Sequence, residues 1–157
     1  MGQSFYEADA DARAVFDEAS ELLGYDMKAL CFEENEKLNL TQYTQPAMVT
    51  TGIAIMKVVE KQGLLPDTAA GLSLGEYEAL YAAGALSVTD AIRVVARRGE
   101  LMEAAVPAGV GAMAAVLGAE ASLIEETLSE IPEVWIANYN CPGQIVISGK
   151  KEAVEAA

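Results

Sequence analysis

Gly71-Leu72-Ser73-Leu74-Gly75 constrains this chain more than any other stretch. Two glycines bracket a serine between a short apolar segment, Thr68 to Leu72, and a sequence with helical spacing from Leu74 to about Gly84. That order predicts a strand feeding a sharp turn, with the serine hydroxyl exposed at the top of a sheet. Side chains at Gly71 and Gly75 are expected to collide where the turn packs on its neighbours. A helix opening near Leu74 points free N–H groups and a partial positive charge at the serine oxygen. This environment suits an alkoxide-like nucleophile and the oxyanion of a tetrahedral intermediate, with the Leu74 amide as one donor. The same letters also have a purely structural use, since Ser73 and Glu76 form S-x-x-E, a capping box.

A serine nucleophile ordinarily passes its proton to a histidine, and this chain contains 0 histidines in 157 residues. Either Ser73 is not a nucleophile, or a carboxylate or lysine is its base, or part of the machinery lies outside the chain. The ends favour the last expectation. Met1-Gly2-Gln3-Ser4 leads almost at once into helical spacing with no first strand, and Lys150 to Ala157 stops inside a helical pattern.

Charge narrows the partners. The balance of 10 basic and 24 acidic residues gives −14, which argues against nucleic acid or an anionic membrane. A hydrophobic content of 52% excludes a disordered chain. With no apolar run near membrane-spanning length and no signal-like N-terminus, a soluble cytoplasmic protein is expected. Cys31 and Cys141 lie far apart and without metal-ligand spacing, so two reduced thiols and no metal site are expected.

Along the chain, Phe5, Ala8, Ala12, Val15, Phe16, Ala19, Leu22 and Leu23 recur at helical spacing, and Gly24 follows as a stop. One amphipathic helix is expected there, then a short helical turn over 26–32 and a polar loop from Glu33 to Asn39. Thr44-Gln45-Pro46 reads as a helix start, with Pro46 in the first turn where its missing N–H costs nothing. Apolar residues on nearly every side from Ala47 to Val59 predict a buried helix. A further helix opens at Ser87, whose spacing to Asp90 resembles a capping box, and runs to about Val106.

Arg98 stands out on that last helix. At 100° per residue, Ala91, Val94, Val95, Leu101 and Met102 fall within roughly 60° of it, which places Arg98 in the middle of the apolar stripe. An arginine there keeps its charge and needs a partner. The partner is either a structural counter-ion or a carboxylate on a substrate, held by two parallel hydrogen bonds. Met102, one turn on, would form an adaptable apolar wall.

Pro107-Ala108-Gly109-Val110-Gly111 reads as a boundary. Beyond it the pattern is strand (112–117), helix (120–130), strand (134–138), a turn at Cys141-Pro142-Gly143, strand (144–148) and a helix from Lys150. This is the split βαβ order without its last strand.

Several blocks in order carry a resemblance over nearly the whole chain. They are Thr44-Gln45-Pro46-Ala47, Gly71 to Tyr77, Arg97-Arg98-Gly99-Glu100-Leu101-Met102, Ala105-Val106-Pro107, Gly111 to Val116, and Asn138-Tyr139-Asn140-Cys141-Pro142-Gly143-Gln144. The chain resembles the malonyl-CoA:acyl carrier protein transacylases and the acyltransferase domains of fatty acid and polyketide synthases. The resemblance implies an α/β fold: residues 1–107 as part of an α/β-hydrolase-like large subdomain, and 108–157 as part of an inserted ferredoxin-like small one. It implies transfer of malonyl from malonyl-CoA to Ser73 and then to the phosphopantetheine thiol of an acyl carrier protein, with no bound cofactor. Ser73 would be the nucleophile, the Leu74 amide half of the oxyanion hole, and Arg98 the holder of the malonyl carboxylate beside Met102. Asn138 and Asn140 would lie near the cleft.

The chain departs from the family pattern in three ways. Leu72 stands where histidine usually precedes the serine. The Gly-Gln-Gly-x-Gln segment that completes the oxyanion hole should lie before Met1, and the catalytic histidine after Ala157. The chain is therefore expected to be part of a larger domain and inactive alone. A serine hydrolase or thioesterase shares the serine turn but has no use for an arginine aimed at a carboxylate. In a non-catalytic scaffold, Ser73 and Arg98 would both be structural.

Overall fold

A computed structural model of the chain describes every residue except Ala108. The residues form two compact units, Met1–Ala105 and Val106–Ala157. Helix and sheet together make this an α/β protein, with all the described strands in the second unit. Among the described residues no helix is long and apolar enough to cross a membrane.

The first unit is helical. The single helix expected from Phe5 to Leu23 is two: α1 (Gln3–Ala8) and α2 (Ala10–Leu23). Asp9 breaks them because its backbone is extended and its carboxylate accepts from the Asp11 and Ala12 amides at 2.8 and 3.2 Å. An aspartate satisfying two orphan donors at a helix start outweighs an uninterrupted apolar stripe. Lys61 holds the same carboxylate at 2.9 Å and keeps its pKa below the usual range. Gly24 ends α2 in the left-handed conformation, as its position suggested. The short α3 (Met27–Phe32) follows, and the polar loop after it contains a 3-10 turn, Lys37–Asn39.

At the centre lies α4 (Thr41–Lys61), which starts earlier than Thr44-Gln45-Pro46 suggested. Leu40 is extended at its N-terminus, and the Thr44 hydroxyl donates to the Leu38 and Leu40 carbonyls at 2.6 and 2.9 Å. Pro46 is thus inside the helix, opposite the Gln42 carbonyl it cannot serve. Its ring is fully buried, and that packing offsets the missing bond. The buried residues of α4 run from Gln45 to Ala54, short of its C-terminal end, and Val49 and Ile53 join Phe16 of α2 and Met27 of α3. Val59, at 37% exposed, lies outside the core. Tyr6, Phe16 and Phe32 meet in edge and tilted contacts, with ring centroids 5.2–5.8 Å apart. Each large apolar side chain so buried contributes roughly 1.5–3 kcal/mol.

α5 (Gly75–Ala82) and α6 (Val88–Ala105) complete the unit. Ser87 caps α6 as its sequence suggested: its hydroxyl accepts from the Asp90 amide at 3.0 Å and donates to the Asp90 carboxylate at 2.6 Å. The strand expected over Thr68–Leu72 is absent. The stretch is irregular and exposed, with Leu72 71% accessible. A strand needs ladder partners for its N–H and C=O groups, and no strand is described in this unit.

The second unit is a three-stranded antiparallel sheet with two helices. β1 (Gly111–Leu117), β2 (Val134–Cys141) and β3 (Gln144–Lys150) lie in the order β1-β3-β2, so β1 and β2 run in the same direction on either side of β3. α7 (Ala121–Ser129) connects β1 to β2, and α8 (Lys151–Ala156) follows β3. One face carries the core of Ile124, Val134, Ile145, Ile147 and Val154. The alternation along β1 leaves Met113 and Leu117 exposed on the other face.

Candidate active site

Local geometry makes the serine turn. Ser73 has φ 51°, in the left-handed region where a side chain costs about 1–2 kcal/mol. The backbone closes at once after it: the amides of Gly75, Glu76 and Tyr77 donate to the carbonyls of Leu72, Ser73 and Leu74 at 2.9, 3.2 and 3.2 Å. These are the three-residue bonds of a tightened first helical turn. A β-carbon on Gly71 would overlap the Gly75 carbonyl and the Glu76 amide, so this glycine is required by close backbone approach. The expectation for Gly75 is corrected, because a β-carbon there meets no described atom within 4 Å.

The capping-box reading of Ser73 is not realised. Leu74 is the N-cap residue of α5, and no side chain caps it. The Ser73 hydroxyl is released from that duty, and its side chain is exposed. Instead it accepts a hydrogen bond from Arg98 Nη2 at 3.1 Å. Among the described residues no group accepts from the Leu74 amide, which therefore stands available at the positive end of α5.

Arg98 reaches Ser73 from α6. The buried residues of that helix are Ala91, Ile92, Val95 and Gly99, centred roughly 75° round the helix from Arg98. Arg98 is thus at the rim of the buried stripe and not in its middle as the sequence suggested. The reason is Gly99. A β-carbon there would come within 2.8 Å of Gln42 Cα and 2.9 Å of the Thr41 carbonyl, so α4 presses on the Gly99 side. Arg98 stays half-buried beside the exposed apolar residues Val94, Leu101 and Met102.

Its other contacts come from residues to which the sequence had given no role in the site. Arg98 Nη1 donates to Gln45 Oε1 at 2.6 Å, and its guanidinium carbon lies 5.8 Å from the centroid of the Tyr77 ring. Gln45 Nε2 in turn donates to Met102 Sδ at 3.1 Å. One signal pointed to Gln45: it shares a four-residue spacing with Val49 and Ile53, a polar residue in register with the core. Tyr77, Val94, Arg97, Arg98, Leu101, Met102 and Ala105 line a groove of about 510 Å³. Ser73, Arg98, Met102 and the Leu74 N-cap position all belong to this one unit. Among the described residues no group of three or more histidine, cysteine, aspartate or glutamate side chains could hold a metal ion.

Comparison with known proteins places these features in a family. The acyl transferase domain matches residues 1–157. The malonyl CoA-acyl carrier protein transacylase of Bacillus subtilis is 49% identical over 162 residues, covering 100% of this chain and 51% of that protein. The crystal structure of MCAT from Streptococcus pneumoniae superposes with a TM-score of 0.87 at 48% identity, covering 99% of this chain and 52% of that one. A malonyl-transacylase solved in complex with a type II PKS acyl-carrier protein gives a TM-score of 0.89 at 42% identity, over 99% of this chain and 52% of that one. The chain spans about half the length of the curated relatives it matches.

Proposed function

This chain belongs to the acyl transferase domain family, and from that premise we propose that it carries the nucleophile and the carboxylate clamp of a malonyl-CoA:acyl carrier protein transacylase. The Ser73 oxygen attacks the thioester carbonyl of malonyl-CoA as its proton passes to a base, which then gives it to the departing coenzyme A thiolate. The tetrahedral intermediate collapses with loss of the coenzyme A thiolate, leaving malonyl as an ester on Ser73. The phosphopantetheine thiol of an acyl carrier protein then attacks that ester, the C–O bond breaks, and Ser73 recovers its proton. The Leu74 amide donates to the oxyanion in both halves. No bound cofactor is required.

One observation carries this reading: Arg98 Nη2 lies 3.1 Å from the Ser73 oxygen. Malonyl has a single methylene between its thioester carbon and its carboxylate carbon, which are therefore about 2.5 Å apart. A cation that holds the free carboxylate must reach almost to the nucleophile, and Arg98 does. Its guanidinium can turn from Ser73 to the substrate, offering two parallel donors to the carboxylate. Met102 and Leu101 would form the apolar side of the same groove. A hydrolase or thioesterase acting on plain acyl groups gains nothing from a cation there. A purely structural Arg98 would be expected to hold an acidic partner, but among the described residues its hydrogen bonds go to Ser73 and Gln45, both neutral.

The chain has 0 histidines and spans about half the length of its relatives, so we assign the base and the second oxyanion donor to protein outside these residues. We also read residues 1–107 as part of an α/β-hydrolase-like subdomain and 108–157 as part of a ferredoxin-like one, and the strand order of the second unit supports the latter. The β1-β3-β2 order with α7 crossing between β1 and β2 is what a split βαβ arrangement requires. Intact-protein mass spectrometry of the complete enzyme after exposure to malonyl-CoA tests the central step. A malonyl adduct that maps to Ser73 and discharges onto the carrier protein is the expected result; an adduct elsewhere, or none, overturns it.

A further inference from the structure

Gln45 is 5% exposed, on the buried side of α4, yet both ends of its amide are engaged by residues of the groove. A guanidinium only donates, so the carbonyl end must face Arg98. A thioether only accepts, so the NH₂ end must face Met102. The amide therefore has one workable orientation. In it, a single side chain fixes the Arg98 guanidinium at 2.6 Å and the Met102 sulfur at 3.1 Å. Gly99 keeps the two helices close enough for this, and Pro46, fully buried beside Gln45, leaves its backbone little freedom.

We infer that Gln45 is a positioning residue for acyl selectivity, coupling the carboxylate clamp Arg98 to the apolar wall Met102 through the two ends of one amide. This rests on the reading of Arg98 as the holder of the malonyl carboxylate. The glutamine is suited to the task because it is neutral. It orients the guanidinium without cancelling its charge, so the cation remains available to an anionic acyl group. A carboxylate in the same place would be a permanent counter-ion competing with the substrate.

The test is the ratio of malonyl to acetyl kcat/KM in the complete enzyme. Measured on one preparation, that ratio is independent of how much of the protein is folded. Gln45→Met, of similar volume and apolar, is expected to lower the ratio roughly tenfold to a hundredfold, mainly through the malonyl KM, by removing a hydrogen bond to a charged group. Gln45→Glu, nearly isosteric, is the second variant and is expected to lower the ratio at least as far. Adding either substitution to Arg98→Ala should leave the ratio where Arg98→Ala alone puts it. A ratio within twofold of the parent in both Gln45 variants, with Arg98→Ala strongly impaired, would overturn the inference and leave the reading of Arg98 standing. An unchanged ratio in Arg98→Ala would overturn both.

Discussion

The Arg98 guanidinium donates to the Ser73 hydroxyl across 25 residues of sequence, at 3.1 Å. Arg98 thus lies next to the group that the serine turn holds out to solvent, and among the described residues it forms no ion pair with an acidic side chain. With Gln45 on its other nitrogen, the cation's hydrogen bonds among the described residues are all to neutral groups.

Arg98→Ala in the complete enzyme should therefore lower malonyl transfer roughly tenfold to a hundredfold more than acetyl transfer, as loss of a charge-assisted, two-point contact requires. Arg98→Lys should recover only part of the difference, because an ammonium is a point charge without the planar fork. Steady-state kinetics with the two acyl-CoA substrates read this directly. Equal losses for both would make Arg98 structural.

Ser73 is held at φ 51°. Replacing it with glycine removes the left-handed strain and should stabilise the chain by about 1 kcal/mol while abolishing the malonyl adduct. Ser73→Ala should abolish the adduct with little change in stability, because the hydroxyl caps no helix. Urea unfolding alongside mass spectrometry separates the two effects. A large loss of stability in Ser73→Ala would mean that the hydroxyl holds the turn.

The two glycines of the turn should behave differently. Gly71→Ala drives a β-carbon into the Gly75 carbonyl and is expected to cost about 1–3 kcal/mol. Gly75→Ala, with no described atom within 4 Å, should lie within about 0.5 kcal/mol of the parent in this chain. Denaturant midpoints give both values, and a Gly75→Ala cost equal to that of Gly71→Ala would contradict the geometry.

Glu78 offers a pH test. Burial raises its carboxyl above the ordinary value of 4.5, so between 4.5 and that higher value the folded chain holds a proton that the unfolded chain has released. Its contribution favours the fold below 4.5 and is lost as the pH rises through the higher folded value. Glu78→Gln should therefore raise the melting temperature more at neutral pH than at pH about 4. A gain that is the same at both would place the carboxyl in water-like surroundings.

The chain alone, with 0 histidines, should turn over no malonyl beyond the slow background that oxyanion donors and binding sustain. Assays of the purified 157-residue chain against the complete enzyme check this. Robust turnover by the chain itself would require a carboxylate or lysine to take the serine proton.

What the sequence determined by itself was whatever local rules govern. Gly71 and Ser73 at fixed spacing define the turn, Ser87 and Asp90 define the start of α6, Gly24 ends α2, and alternation marks the strands of the second unit. Each depends on atoms within a few residues of one another. Asp9 shows the same principle in reverse: its two local hydrogen bonds divide a stripe that periodicity alone read as continuous. The tertiary structure decided the rest. Thr68–Leu72 is apolar enough for a strand, but a strand exists only with partners to receive its hydrogen bonds. Arg98 was legible as a cation near an apolar stripe, while its place at the rim depends on α4 pressing against Gly99. Gln45 reaches Arg98 over 53 residues and Met102 over 57. Only the packing of α4 on α6 brings those side chains together, and no periodicity within either helix contains that distance.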